Sequence, residues 1–163
     1  MECVRALLGN PALKNHMKYA PERVYEDNEG MNRILDEMWT VDWWWNTQVY
    51  FSFLKMLSKL TDCQKKLPVD STIAPLILSS DKTQLTQFHG DKSAWPVYLT
   101  LGNIAKAKHH QVGAHATILI GYLPVAKLDN FMNETHSVQG YRLFHYCMCQ
   151  LLGLIVNAGK KRG

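Results

Sequence analysis

The sequence predicts an α/β fold, a helical front followed by β-β-β-α, and three features of the chain predict it. The first is a set of short apolar runs, Leu76-Ile-Leu-Ser-Ser80, Trp95-Pro-Val-Tyr-Leu-Thr-Leu101 and Ala114-His-Ala-Thr-Ile-Leu-Ile-Gly-Tyr-Leu-Pro124. They are rich in β-branched and aromatic residues, as strands are. The second is their punctuation by Gly, Pro, Asp and Asn, with Pro75 and Pro96 read as strand beginnings, where a missing N–H is tolerated. The third is an apolar repeat at helical spacing after the last run.

Taken in order, residues 3–8 and 12–19 read as short helices broken at Gly9-Asn-Pro11, with Pro11 suited to a first helical turn. Residues 21–30 read as a polar, acidic loop, and residues 32–47 as a helix carrying Trp39 and Trp43-Trp44-Trp45. Those tryptophans are read as anchors against a neighbouring surface, and alternatively as a base-stacking platform. Residues 49–64 differ in texture, with Phe53, Met56, Leu57 and Leu60 at the spacing of an amphipathic helix. Residues 65–72 form a polar linker into a three-stranded meander whose first strand ends at Asp81. Residues 126–136 are a loop. A helix then spans 137–157, with Ser137 as N-cap and Tyr141, Phe144, Met148, Leu151 and Ile155 as its apolar face. The boundaries that follow are a helical N-terminal segment over 1–70, with an insert at 49–64, and an α/β part over 71–163.

Composition narrows the class. The chain has 163 residues, 47% hydrophobic and 20% charged, which suits one soluble domain with a core, or one domain plus an appended segment. A net charge of +4 is compatible with nucleic acid without requiring it. Cys3, Cys63, Cys147 and Cys149 lack disulfide-framework spacing, and the opening Met1-Glu-Cys-Val-Arg5 is no signal peptide, so an intracellular protein, nuclear or cytoplasmic, is expected. No apolar run approaches the roughly 18 residues of a membrane span. Neither a membrane nor a small-molecule substrate is an expected partner. Glycine phosphate loops, Gly-x-Ser-x-Gly elbows and His-Glu-x-x-His are absent from the sequence.

Asp81 is the foremost candidate for chemistry, because a carboxylate at a strand end can hold a divalent cation; the alternative is a turn or capping residue. Asp91 is read as a hairpin-turn residue, and Asp129 and Glu134 as unoriented loop carboxylates. Lys106, Lys108, His109 and His110 make a solvated basic loop open to phosphate contact, as does the Lys160-Lys161-Arg162 tail. His115 is expected to begin a strand. His145 and Cys149 share a helix face at i, i+4 while Cys147 points elsewhere, and no second pair in the chain completes a zinc site.

Gly9-Asn-Pro-Ala12, Tyr19-Ala-Pro-Glu-Arg-Val-Tyr25, Asp36-Glu-Met-Trp-Thr40 and Asp42-Trp-Trp-Trp45 belong to a wider pattern. It continues through Ile73-Ala-Pro-Leu-Ile-Leu-Ser-Ser-Asp-Lys-Thr-Gln-Leu85, Trp95-Pro-Val-Tyr-Leu-Thr-Leu-Gly-Asn-Ile104, His115-Ala-Thr-Ile-Leu-Ile-Gly-Tyr-Leu-Pro124 and Gly140-Tyr-Arg-Leu-Phe-His145. The pattern resembles the Plavaka transposases, encoded by cut-and-paste DNA transposons of mushroom-forming fungi and distantly related to the CACTA group. The resemblance implies a ribonuclease-H-like core opening β-β-β-α, incomplete here, with Asp81 as the first of three metal-binding acidic residues. It implies Mg²⁺ or Mn²⁺ as cofactor of the complete enzyme and DNA, or a full-length transposase, as partner. The family runs on past the last helix to a fourth strand bearing the second acidic residue, so a truncated transposase-derived fragment, inactive by itself, is expected, with Asp81 alone making an incomplete metal site. The alternative is a non-catalytic DNA- or protein-binding remnant. Residues 49–64 interrupt a run in which Gln48 would otherwise join Lys65, and are read as a retained intron or a lineage-specific helix.

Overall fold

A computed structural model describes residues 2–58, 72–85, 93–125 and 135–160. The fold is α/β with antiparallel pairing in both of its sheets. The elements are α1 (Glu2–Leu8), β1 (Val24–Tyr25), β2 (Arg33–Ile34), α2 (Asp42–Ser58), β3 (Leu76–Ser80), β4 (Thr83–Gln84), β5 (Ser93–Leu101), α3 (Lys106–His109), β6 (Thr117–Leu123) and α4 (His136–Lys160). Single 3₁₀ turns form at Lys14–His16, Met38–Thr40 and Val112–Ala114. The chain divides into two compact units, one of residues 1–3, 78–99 and 118–162, the other of residues 4–77 and 100–117 with 163.

The larger sheet has four strands where three are expected. β5 pairs with β3, β4 and β6, and a strand has only two edges, so two partners share one. Thr83 lies opposite Ala94 and Gln84 opposite Ser93, and counting back in that register sets Asp81 opposite Pro96. Proline has no N–H to offer a ladder. Pro96 is the fourth residue of β5, not its beginning, and it faces the point where the first strand comes apart into β3 and β4. Its carbonyl is satisfied instead by the Ser80 hydroxyl, which donates across 3.0 Å.

In the first unit α4 covers one face of the sheet. The Trp95 and Phe144 rings meet at 5.2 Å, and Gly121 lies under Leu151 so closely that a Cβ would come within 2.7 Å of its Cδ1. Val97, Leu99 and Leu123 are buried there. Ser137 lies inside α4 rather than capping it, and Tyr141, expected on the apolar face, is 68% exposed. The buried side is rotated toward Leu143, Phe144 and Cys147, which line a cavity of about 70 Å³ with Lys82, Trp95 and Leu123.

The second unit is organised on residues 102–105. Asn103 is wholly buried and its Nδ2 donates to the carbonyls of Lys18 at 2.8 Å and Ile73 at 3.1 Å. Its own carbonyl accepts the Lys18 N–H, the Gly102 N–H reaches Pro75 O, and the Ala105 N–H reaches His16 O. At Gly102 a Cβ would meet the Met38 sulfur at 2.3 Å and Pro75 at 3.2 Å, so any side chain there would require Met38 to move. Leu7, Leu13, Trp39, Trp44, Leu101 and Ile104 form the core around this crossing.

Several local expectations are corrected in this unit. Residues 12–19 hold a single 3₁₀ turn, because the backbone at 16–18 is taken up by residues 103–105. The acidic loop 21–30 contains β1, whose return strand β2 occupies part of the helix expected over 32–47; the helix begins only at Asp42. Asp27 makes the turn between them, accepting the Met31 N–H at 2.8 Å and the Asn32 N–H at 2.7 Å. His115 does not open a strand. It sits in the left-handed region (φ 49°) after the 3₁₀ turn, and β6 starts two residues later. The helix α2 runs on through Ser58 into the stretch read as an insert. The rest of 49–64, the turn at Asp91, and Asp129 and Glu134 lie outside the described residues.

Candidate functional site

Asp81 follows the last residue of β3 and precedes β4, at the gap opposite Pro96. It is exposed, and among the described residues it accepts no hydrogen bond and makes no ion pair. A capping or turn carboxylate would show one, as Asp27 does. Its neighbour Lys82 enters the cavity beneath α4, a placement the sequence reading did not anticipate. The strand alternation counted from Thr83 gives it, since that register sets Lys82 across from Trp95. Among the described residues β3 pairs only with β5, and all five of its residues are exposed, including the apolar Leu76, Ile77 and Leu78.

A two-metal site needs more than one protein carboxylate. Among the described residues no three His, Cys, Asp or Glu side chains converge where a cation could be held. Asp81 by itself therefore does not fit the Mg²⁺ or Mn²⁺ centre that the resemblance implies.

The basic segment falls in the second unit, whereas Asp81 falls in the first. It forms the short helix α3 and not a loop. Two acidic residues about seventy positions upstream position it: Glu37 accepts the Lys106 N–H at 3.1 and 3.2 Å, and Asp36 takes the Lys106 ammonium at 2.9 Å. That contact lowers the Asp36 pKa and raises that of Lys106, with burial opposing both. Lys108 Nζ donates to Gln111 at 2.8 Å. The His109 ring turns inward, lying 3.3 Å from the Thr100 hydroxyl and 3.2 Å from Ile104 O, while His110 is exposed. Lys160 closes α4, and Lys161 and Arg162 lie outside the described residues.

The three consecutive tryptophans divide as helix geometry requires. Trp44 is fully buried and anchors α2, whereas Trp43 and Trp45 look outward. The Arg23 guanidinium covers Trp45, 5.0 Å from its ring centre.

The chain is thus α/β, with an exposed carboxylate after β3 and, in the other unit, a short basic helix. The sequence model of the Plavaka transposase family matches residues 1–163, the whole length, and the chain belongs to that family. Comparison with curated proteins and with solved structures gives no match. No helix among the described residues is long and apolar enough to cross a membrane.

Proposed function

We propose that this transposase-derived chain carries the opening part of a ribonuclease-H-like nuclease core, with Asp81 as its first acidic position, and that by itself it handles DNA without cleaving it. The observation that carries the reading is the exposed Asp81 carboxylate, unpaired among the described residues, at the end of a sheet strand followed in order by β4, β5, α3, β6 and α4. Among the described residues no hydrogen bond or ion pair occupies that side chain. One carboxylate is insufficient for in-line phosphodiester hydrolysis, which needs both the attacking and the leaving oxygen stabilised. Mg²⁺ or Mn²⁺ belongs, on this reading, to an assembly in which further carboxylates join Asp81, as in a complex with a full-length transposase.

DNA binding is assigned to α3. His110 is exposed, and the half-buried Lys108 keeps ammonium donors beyond the one given to Gln111. Lys106 is already partly neutralised by Asp36, and His109 serves the fold. The purified chain, incubated with supercoiled DNA and Mg²⁺ or Mn²⁺, should leave the DNA intact. It should bind duplex DNA with an affinity that falls steeply with salt, and Lys108→Ala should make that slope shallower by about one phosphate contact. Nicking that disappears in Asp81→Ala would show that a complete centre assembles within this chain. Salt-independent or absent binding would remove the DNA-handling role.

A further inference from the structure

The outer face of α4 carries a histidine and a cysteine four residues apart. His145 and Cys149 are both exposed and stand one helical turn apart, so they lie on one face. At about 100° per residue, Val138, His145, Cys149 and Val156 lie within about 20° of a single line along the helix. The sheet takes the opposite side through Phe144 and Leu151, which leaves this line outward, with Val138 47% and Val156 51% exposed. Phe144, fixed on Trp95, also meets the His145 ring edge-on at 5.6 Å, which limits where that imidazole can swing.

Two ligands at i, i+4 do not close a tetrahedral zinc site, and among the described residues there is no third. The arrangement is nevertheless self-complementary. An antiparallel pairing of α4 with a second copy, about a two-fold axis at the level of Cys147, sets His145 of each chain against Cys149 of the other. The same axis sets Val138 against Val156, so the two exposed valines of the stripe cover each other. We infer that this face binds a thiophilic divalent cation of the zinc type between two copies of the chain, in a Cys₂His₂ set to which each copy gives one His and one Cys. The imidazoles bind as neutral ligands, and each Cys149 thiol releases its proton to solvent as its sulfur takes the metal. A single pair of helices buries less than the roughly 1,200 Å² of a stable interface, so dimerisation should require the metal.

The test uses the full chain, freed of metal and titrated with ZnCl₂ under reducing conditions. Mass is followed by light scattering and bound zinc by elemental analysis. The expected result is a shift from monomer to dimer at one zinc per two chains, reversed by chelator. Cobalt(II) in place of zinc should give thiolate-to-metal charge-transfer absorption. Cys149→Ser and His145→Ala should each abolish the shift with circular dichroism unchanged, since both side chains are exposed, while Cys147→Ser should retain it. A mass that ignores zinc, a stoichiometry of one zinc per chain without dimer, or a dimer that survives both variants would overturn the inference.

Discussion

Asn103 offers a direct measurement of what holds the second unit together. Its Nδ2 serves two carbonyls from segments far apart in sequence, Lys18 and Ile73, while its own Oδ1 is buried with no hydrogen-bond partner. In Asn103→Ala both carbonyls lose their donor. Each buried polar group left unmade costs about 1–3 kcal/mol, and the low end applies because these carbonyls are part-buried. Removing the orphaned Oδ1 returns about 1 kcal/mol, and the small void left behind takes about as much away. The net loss is about 2–3 kcal/mol. At a urea dependence of about 1–3 kcal/mol per molar, the midpoint moves down by about 0.7–3 M. Four of the five tryptophans, Trp39, Trp43, Trp44 and Trp45, belong to this unit and Trp95 to the other, so tryptophan fluorescence during urea unfolding reports mainly on this one. Asn103→Asp should be worse than alanine, because an acceptor then faces two acceptors in a buried site. A loss below about 0.5 kcal/mol, or an aspartate as stable as the parent, would refute the assigned donor role.

Three further outcomes follow from the geometry. Asp81→Ala should change unfolding stability by less than about 0.5 kcal/mol, as expected of an exposed side chain with no partner; a larger loss in urea titration would return Asp81 to a structural role. Trp44→Ala should cost about 3–5 kcal/mol and Trp43→Ala about 0.5 kcal/mol or less, which separates the anchor from its exposed neighbour by denaturant midpoint alone. The Asp27 carboxylate is held below its usual range, first by the Met31 N–H, with burial opposing and the N–H groups of Asn32, Gly30 and Glu29 adding to the lowering. A depressed folded value means that its contribution is fully present above the unfolded value near 3.8 and is lost as pH falls through the folded one. Acid unfolding of Asp27→Asn should therefore show a weaker pH dependence below about pH 4 than that of the parent.

The elements legible in the sequence were those whose pattern is local. The runs that became β5 and β6 and the repeat over α4 carry their own periodicity, and each lies near the expected place. The N-terminal part was read less well because its backbone partners are distant. Residues 14–19 cannot form the expected helix while residues 103–105 hold them, and no window of sequence around Lys14 contains that information. The same holds for α3, which is positioned by Asp36 and Glu37, about seventy residues upstream. Asp81 could be named as a candidate from its place at the end of an apolar run. That it would be unengaged could not, because freedom from a partner depends on everything that might have reached it.

Pro96 links the sheet to the candidate site. A proline inside a strand with neighbours on both sides is disfavoured, since its edge lacks a donor at that point. Here the cost is limited by Ser80, whose hydroxyl supplies the hydrogen bond that the buried Pro96 carbonyl would otherwise lose. The ladder stops there, and Asp81 and Lys82 are the two residues between β3 and β4 that leave it. Lys82 lines the cavity under α4 while remaining exposed, and Asp81 beside it is exposed as well. The residue opposite Asp81 in the β4–β5 register, fifteen positions along the chain, is thus one with no N–H to offer the ladder.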